Sequence, residues 1–168
     1  MARQTSIEIL YPEFRAYARS ICDHPDEAED LLQDAVERAL RAASRPVRPE
    51  ELRPWMFRVM RNLHYDELRK RRVRREYMAA EKRLLVEGGS SADHARDVLI
   101  RQAYRKLRPE TREVLFLVDI MGLKYAEAAV VMDVPQGTVM SRISRARRAL
   151  LELVDGDAGA GTKAKEDG

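Results

Sequence analysis

Cysteine is almost absent from this 168-residue chain, where Cys22 stands alone. One cysteine excludes an internal disulfide framework and fits a reducing compartment such as the cytoplasm. No apolar run is long enough to span a bilayer, and the N-terminus lacks a signal-peptide core, so no membrane insertion is expected. Histidine is scarce, and His24, His64 and His94 fall in separate segments. Cys22-Asp23-His24 could offer two metal ligands, but a zinc site needs about four and no second cluster follows, so neither metal nor cofactor is expected. There is no glycine-rich phosphate loop and no nucleophile beside a base, so the chain does not read as an enzyme. Glycine and proline number only 8 and 7 and punctuate helical stretches.

What is present is charge and helical periodicity. Charged residues make up 35% and hydrophobic residues 45%, which suits small helical units with much surface. The net charge of +3 conceals strong local poles.

The stretch from Val114 to Leu151 organises the chain. Tyr125 to Met132 is apolar and rich in alanine, and Ala128 and Ala129 are small enough for two helices to cross closely. A tight turn, Asp133-Val134-Pro135, leads to a second helix in which Val139, Ile143, Ala146 and Leu150 recur at i, i+4, i+7 and i+11. That spacing makes one apolar stripe. The opposite face carries Gln136, Thr138, Met140, Ser141, Arg142, Ser144, Arg145 and Arg148. This is the pattern of a helix-turn-helix whose second helix enters a major groove. The alternative is a helical hairpin with a solvated basic face. Small polar residues at the helix start (Gly137, Thr138, Ser141) favour DNA, because short side chains let free backbone N–H groups approach a phosphate.

Earlier in the chain, Ser6 to Cys22 forms one predicted helix, restarting at Pro12, and His24-Pro25 ends it. Asp26 is the expected N-cap of a second helix reaching Ala43, with Ala28, Leu31, Leu32, Ala35, Val36, Ala39 and Leu40 turned inward. Its outer face is acidic and includes Asp30, Gln33, Asp34 and Glu37. Ser44 to Arg53, with Pro46 and Pro49, reads as a loop, and a third helix is expected from Pro54. The end of that helix, Arg69-Lys70-Arg71-Arg72-Val73-Arg74-Arg75, has six cations in seven positions and points to a polyanion. Just before it, Trp55, Phe57, Arg58, Arg61, Asn62, His64 and Tyr65 mix rings, amides and cations. Such a mixture suits unpaired DNA bases, although Trp55 is better placed in a core.

Gly137-Thr138-Val139, Ser141-Arg142 and Arg145-Ala146-Arg147 resemble the signature of the fourth conserved region of bacterial sigma factors, most closely the extracytoplasmic-function class. Leu107, Pro109, Arg112 and Leu115 fit the helix preceding that motif. Asp30-Leu31-Leu32-Gln33-Asp34 and Trp55…Arg58…Asn62…Asp66 are similar to region two. The chain departs from the family at Asp133, where glycine is usual, and at Met140, where lysine is common. Asp133 tolerates a left-handed backbone better than most residues.

The resemblance implies an all-α protein of two small domains joined by a flexible linker. Residues 1–75 would bind RNA polymerase core and the minus-ten element, 76–92 would be the linker, 93–154 would read the minus-thirty-five element, and 155–168 would be disordered. Gly88-Gly89-Ser90-Ser91 marks the boundary, and Asp93 is the expected cap of the next helix. Core polymerase would meet Asp30, Gln33, Asp34 and Glu37. Unpaired minus-ten DNA would meet Arg58, Arg61, Asn62, Tyr65, Arg69, Arg71 and Arg72. Duplex minus-thirty-five DNA would meet Gln136, Gly137, Thr138, Met140, Ser141, Arg142 and Arg145, with Gln136, Met140 and Arg142 nearest the bases and Arg147 and Arg148 on phosphate. The family also implies an anti-sigma factor as partner. An autonomous helix-turn-helix regulator, or a mimic that sequesters another protein, remains the alternative.

Overall fold

A computed structural model describes residues 5–77 and 95–163, and within them the chain is helical, with no strand. Thr5 opens α1 (Ser6–Ile21) with a capping box: its hydroxyl accepts from the Glu8 N–H, and the Glu8 carboxylate accepts from the Thr5 N–H at 2.6 Å. Pro12 does not restart this helix but sits inside it, exposed. Its ring removes one backbone bond, to the carbonyl of exposed Glu8, where water can substitute. The N-cap of α2 (Pro25–Arg41) is His24, not Asp26; Pro25 takes the first helical position, and Asp26 and Glu27 complement the helix dipole from the first turn. Leu40, expected inward, is 65% exposed, because it lies in the last turn, about 100° round the helix from buried Ala39. α3 (Pro49–Tyr77) begins five residues before Pro54. The Arg48 carbonyl receives Leu52 N–H at 2.8 Å, so Pro49 sits in the first turn and Pro54 interrupts one bond in the second.

Phe14, Tyr17, Leu32, Leu52, Met56, Phe57 and Met60 are fully enclosed between these three helices. Phe57 therefore belongs to the core rather than to a base-stacking surface: its ring meets Phe14 edge-on at 5.8 Å and Tyr17 at 4.7 Å. Trp55 is half-buried against the same core.

In the second half, α4 (Ala95–Lys106) precedes α5 (Pro109–Leu115), which runs straight into a π-helical turn, Phe116–Ile120. Met121 N–H reaches back five residues to the Phe116 carbonyl at 2.8 Å. Gly122 then reverses the chain at φ +68°, a conformation that favours glycine. α6 (Tyr125–Met132) ends at Asp133, which adopts the left-handed conformation at φ 53°. α7 (Gln136–Lys163) buries Val139, Ile143 and Ala146 against α5 and α6, with Leu150 half-buried on the same stripe. The structure carries α7 on to Lys163, into a segment expected to be disordered for want of apolar surface. Extending an existing helix is much easier than nucleating one, although each glycine costs about 1 kcal/mol there. The expected linker and the cap at Asp93 fall almost wholly at 78–94, and the last five residues at 164–168; all lie outside the described residues.

The two halves touch. α3 packs against α6, and α1 against α5, so one set of buried residues runs through both.

Candidate nucleic-acid interface

The acidic surface of α2 forms as its periodicity dictates. Asp30, Gln33, Asp34 and Glu37 are all exposed, while Leu31, Leu32 and Ala35 hold the helix down. Glu37 pairs only with Arg41, one turn on, at 2.5 Å. Asp30 and Asp34 line a cleft of about 430 Å³ between α2 and the basic end of α3. Cys22 and His64 sit in the same cleft, with the sulfur 3.7 Å from Nδ1. Burial pushes the Cys22 thiol up to about 12, so it is protonated and unreactive at neutral pH. His24, the ligand expected beside it in sequence, is exposed elsewhere as the α2 cap.

On α3, Arg58, Asn62, Tyr65, Arg69 and Arg72 are spaced by four, three, four and three residues, which aligns them on one face. Asn62, Arg69 and Arg72 are exposed. Arg69 pairs with Asp66 and Arg72 with Glu76, both along the helix surface at 3.1 and 3.3 Å. Such exposed pairs contribute only a few tenths of a kcal/mol, so a phosphate can replace the acid. Arg71 differs from the expectation. It turns toward α2 and pairs with Glu27 at 2.5 Å and Glu67 at 3.3 Å, which ties it into the fold.

Arg61 and Tyr65 are half-buried against the other half of the chain, whereas Arg58 is exposed beside it. Arg58 lies beside the helix-turn-helix turn, 3.9 Å from the Asp133 carboxylate. Arg61 donates to Glu113 at 2.9 Å, and its guanidinium lies 4.5 Å from the centre of the Tyr65 ring. Tyr65 also donates to Glu113, at 3.4 Å, as does Tyr17 at 2.8 Å. Burial, reinforced by the Glu113 charge, holds the Tyr17 phenol well above its ordinary value, so it remains a donor. Glu113 was missed from sequence. Its signal is a charge four residues before Leu117, on the apolar side of its helix.

The face of α7 is open. Gln136, Gly137, Met140, Ser141 and Arg145 are exposed, Thr138 and Arg142 half-buried. A Cβ built on Gly137 would meet nothing within 4 Å, so the fold itself does not require glycine there; what it permits is close approach from outside. Ser141 donates to the Thr138 carbonyl at 3.0 Å, and Arg145 donates to the Ser141 carbonyl at 3.2 Å, which steadies the first two turns. Met140 and Arg142 do not project together. Two residues apart on a helix of 3.6 per turn, they point about 160° from one another. Met140, 51% exposed, lies on one flank. Arg142 lies on the other and joins Lys106, Arg108 and Arg145 around a cleft of about 560 Å³ beside the α4–α5 turn. Arg147, expected on phosphate, is instead clamped by both oxygens of Asp119, at 2.6 and 3.0 Å.

A helix-turn-helix with an open second helix, joined to a three-helix unit with one acidic and one basic face, defines an all-helical class of protein suited to binding DNA. The family comparisons agree. Residues 7–74 match the model for sigma-70 region 2, and residues 97–150 match the model for sigma-70, region 4. The chain is similar to the ECF RNA polymerase sigma factor EcfG of Rhodopseudomonas palustris, with 37% identity over 151 residues, covering 86% of this chain and 82% of that protein. It is also similar to the sigma factor CnrH of Cupriavidus metallidurans, 36% identical over 155 residues and covering 84% and 80%. Among solved structures, the sigma factor RpoE of Bartonella quintana in complex with the anti-sigma factor NepR superposes with a TM-score of 0.69 at 28% identity, over 89% of this chain and 94% of that one. The chain belongs to the sigma-70 family and, within it, to the extracytoplasmic-function sigma factors.

Proposed function

We propose that this sigma factor brings RNA polymerase core to promoters through three separate surfaces. Asp30, Gln33, Asp34 and Glu37 on α2 meet the polymerase. Asn62, Arg69 and Arg72, with Arg58, Arg61 and Tyr65, take the unpaired minus-ten strand. Gln136, Gly137, Thr138, Met140, Ser141 and Arg145 enter the major groove of the minus-thirty-five element, with Arg142 on the flanking phosphates. Within that set, the Met140 thioether suits a thymine methyl group, whereas a lysine there would add charge without selectivity. The protein acts in the cytoplasm, responds to an external or stress signal, and is held inactive by an anti-sigma factor. Relatives of this chain have been solved in such complexes, RpoE with NepR and CnrH with the cytosolic domain of CnrY.

The observation that carries the reading is the coexistence, on one chain, of an exposed acidic ridge and two basic faces of different character. A one-domain regulator has no use for the ridge, and a sequestering mimic has no use for an open recognition helix. The test is transcription in vitro with core polymerase on a library of random promoters. Initiation from a defined subset of sequences is expected, and Asp30→Lys with Asp34→Lys should abolish it while helicity by circular dichroism is unchanged. Duplex binding without initiation would replace this reading with that of a regulator. Binding to core with no selectivity among templates would replace it with that of a mimic.

A further inference from the structure

Glu113 is the one fully buried charged side chain among the described residues, 1% exposed. It belongs to α5, in the second half of the chain, yet the three side chains that bond it all come from the first. Its Oε1 accepts from Tyr17 at 2.8 Å and from Arg61 at 2.9 Å, and its Oε2 accepts from Tyr65 at 3.4 Å. Its neighbours Val114 and Leu117 are fully buried in the core. A buried carboxylate is tolerated only when its charge is paired and its lone pairs are filled, and here the other half supplies both. Two further contacts flank it. Arg53, at the start of α3, donates to the Met121 carbonyl beyond the π turn and pairs with Glu13 at 2.5 Å. Arg58 approaches Asp133.

Arg61 and Tyr65 are also residues assigned to the unpaired strand. A guanidinium that donates to Glu113 and lies over the Tyr65 ring has neither its Nε nor that face left for a phosphate. A Tyr65 ring covered on one face by Arg61, with its hydroxyl committed to a buried acid, has no open platform for a base on that side.

We propose that Glu113 is an internal competitor for the single strand: its carboxylate holds Arg61 and Tyr65 in a closed arrangement of the two halves, and strand capture requires α5 to part from α3. The inference rests on the assignment of Arg61 and Tyr65 to the minus-ten strand. Its consequence is linkage. Whatever fraction of molecules is closed reduces the apparent affinity for unpaired DNA by that fraction, so a chain open about one time in a hundred binds about a hundredfold more weakly than its open form. The recognition helix is not engaged by the latch, so duplex binding is not reduced in this way. The chain would then find promoters through the duplex before it can hold the opened strand.

The test uses the full chain and its Glu113→Gln variant, in which shape is kept and charge removed. Separation of the halves is read by small-angle scattering, and affinity for a minus-ten oligonucleotide by fluorescence anisotropy. Glu113→Gln should increase the radius of gyration and raise strand affinity at least tenfold, with far-ultraviolet circular dichroism unchanged and duplex affinity unmoved. Arg53→Gln, which removes a contact outside the strand surface, should shift both quantities in the same direction by less. If Glu113→Gln loses its helicity, Arg53→Gln decides the matter by the same two readouts. Unchanged dimensions and affinity in the folded variants would overturn the latch and leave the strand surface standing. Opening without a gain in strand affinity would overturn the competition. Adding Arg61→Ala to Glu113→Gln then locates the fault: no further loss means that Arg61 does not hold the strand and the surface assignment fails, whereas a loss confines the failure to the latch.

Discussion

The two basic faces of the molecule are built from the same residue type and are in opposite states. On α3, Arg58, Arg61, Arg69, Arg71 and Arg72 each have an acidic neighbour within 4 Å, and two of those acids come from the other half of the chain. On the face of α7 turned from its core, Arg142 and Arg148 have no acidic partner among the described residues, and Arg145 bonds only to Ser141. Sequence count alone makes α3 the stronger cation, and structure reverses that order. On the proposed assignment, a duplex would meet a prepared surface, while a single strand would first have to displace carboxylates. The difference suits the order of events at a promoter, where the duplex exists before the opened strand.

The largest effect that separates the faces is expected from Phe57→Ala. The ring packs between Phe14 and Tyr17 at the floor of α3 and is fully enclosed, and such truncations typically cost about 3–5 kcal/mol. Calorimetry should show the loss in the transition of the first half. Strand binding should collapse with it, while duplex binding through α7 persists. Equal loss of both would mean that the two surfaces share one cooperative unit.

A smaller and more selective contrast lies between Asn62→Ala and Arg142→Ala. Asn62 is exposed on the α3 stripe, and an amide that reads a base edge is worth about 1–3 kcal/mol at one position. Its loss should relax preference at a single minus-ten base and leave the salt dependence alone. Arg142, on the flank of α7, should instead weaken all minus-thirty-five sequences alike and flatten the log–log salt slope by about 0.9. Anisotropy titrations at several salt concentrations distinguish the patterns. Sequence-selective loss in Arg142→Ala would return that side chain to the bases.

The smallest effect concerns His64, in the α2–α3 cleft. Burial lowers its proton affinity below the ordinary value of 6.5, so the folded state favours the neutral ring. Below pH 6.5 the unfolded chain binds more protons at this position than the folded one, and stability falls as pH falls through the folded value. Glu27 and Asp23 oppose the shift and Arg71 and Arg61 add to it, so the change is modest. His64→Gln should therefore lose less in Tm than the parent chain between pH 7.5 and 5.5. Parallel Tm curves would show that the ring does not titrate differently in the fold.

Much of this was legible from sequence, for physical reasons. The helices have strong 3.6-residue periodicity, so the core stripe of Val139, Ile143 and Ala146 and the outward set of Asp30, Gln33, Asp34 and Glu37 follow directly. The left-handed turn at Asp133 follows from its chemistry. Proline misled twice. Pro12 and Pro54 each remove one backbone bond, and tertiary packing on both sides holds the helix through the gap. What periodicity cannot show is which residues of separate helices meet. Arg71 with Glu27, Arg147 with Asp119, and Glu113 with Tyr17, Arg61 and Tyr65 are contacts over long sequence separation, and each changes the role its arginine has by composition. The split between Met140 and Arg142 was available from the helical period, but the sigma signature groups the two residues in one motif.

The π turn at Phe116–Ile120 sets the phase of a helix that has two masters. One extra residue in that turn delays everything after it by about 100° relative to an uninterrupted α-helix. The delay brings Met121 back to the side of Glu113, where Arg53 hooks its carbonyl, and Asp119 meanwhile faces Arg147 on the recognition helix. The helix thus works like a vernier, aligning one end to the first half of the chain and the other to α7. Deleting a single residue between 116 and 120 would make a more regular helix and a worse protein, since the two anchorages could no longer be satisfied at once. The irregular turn is therefore a position at which length, rather than side-chain identity, is constrained.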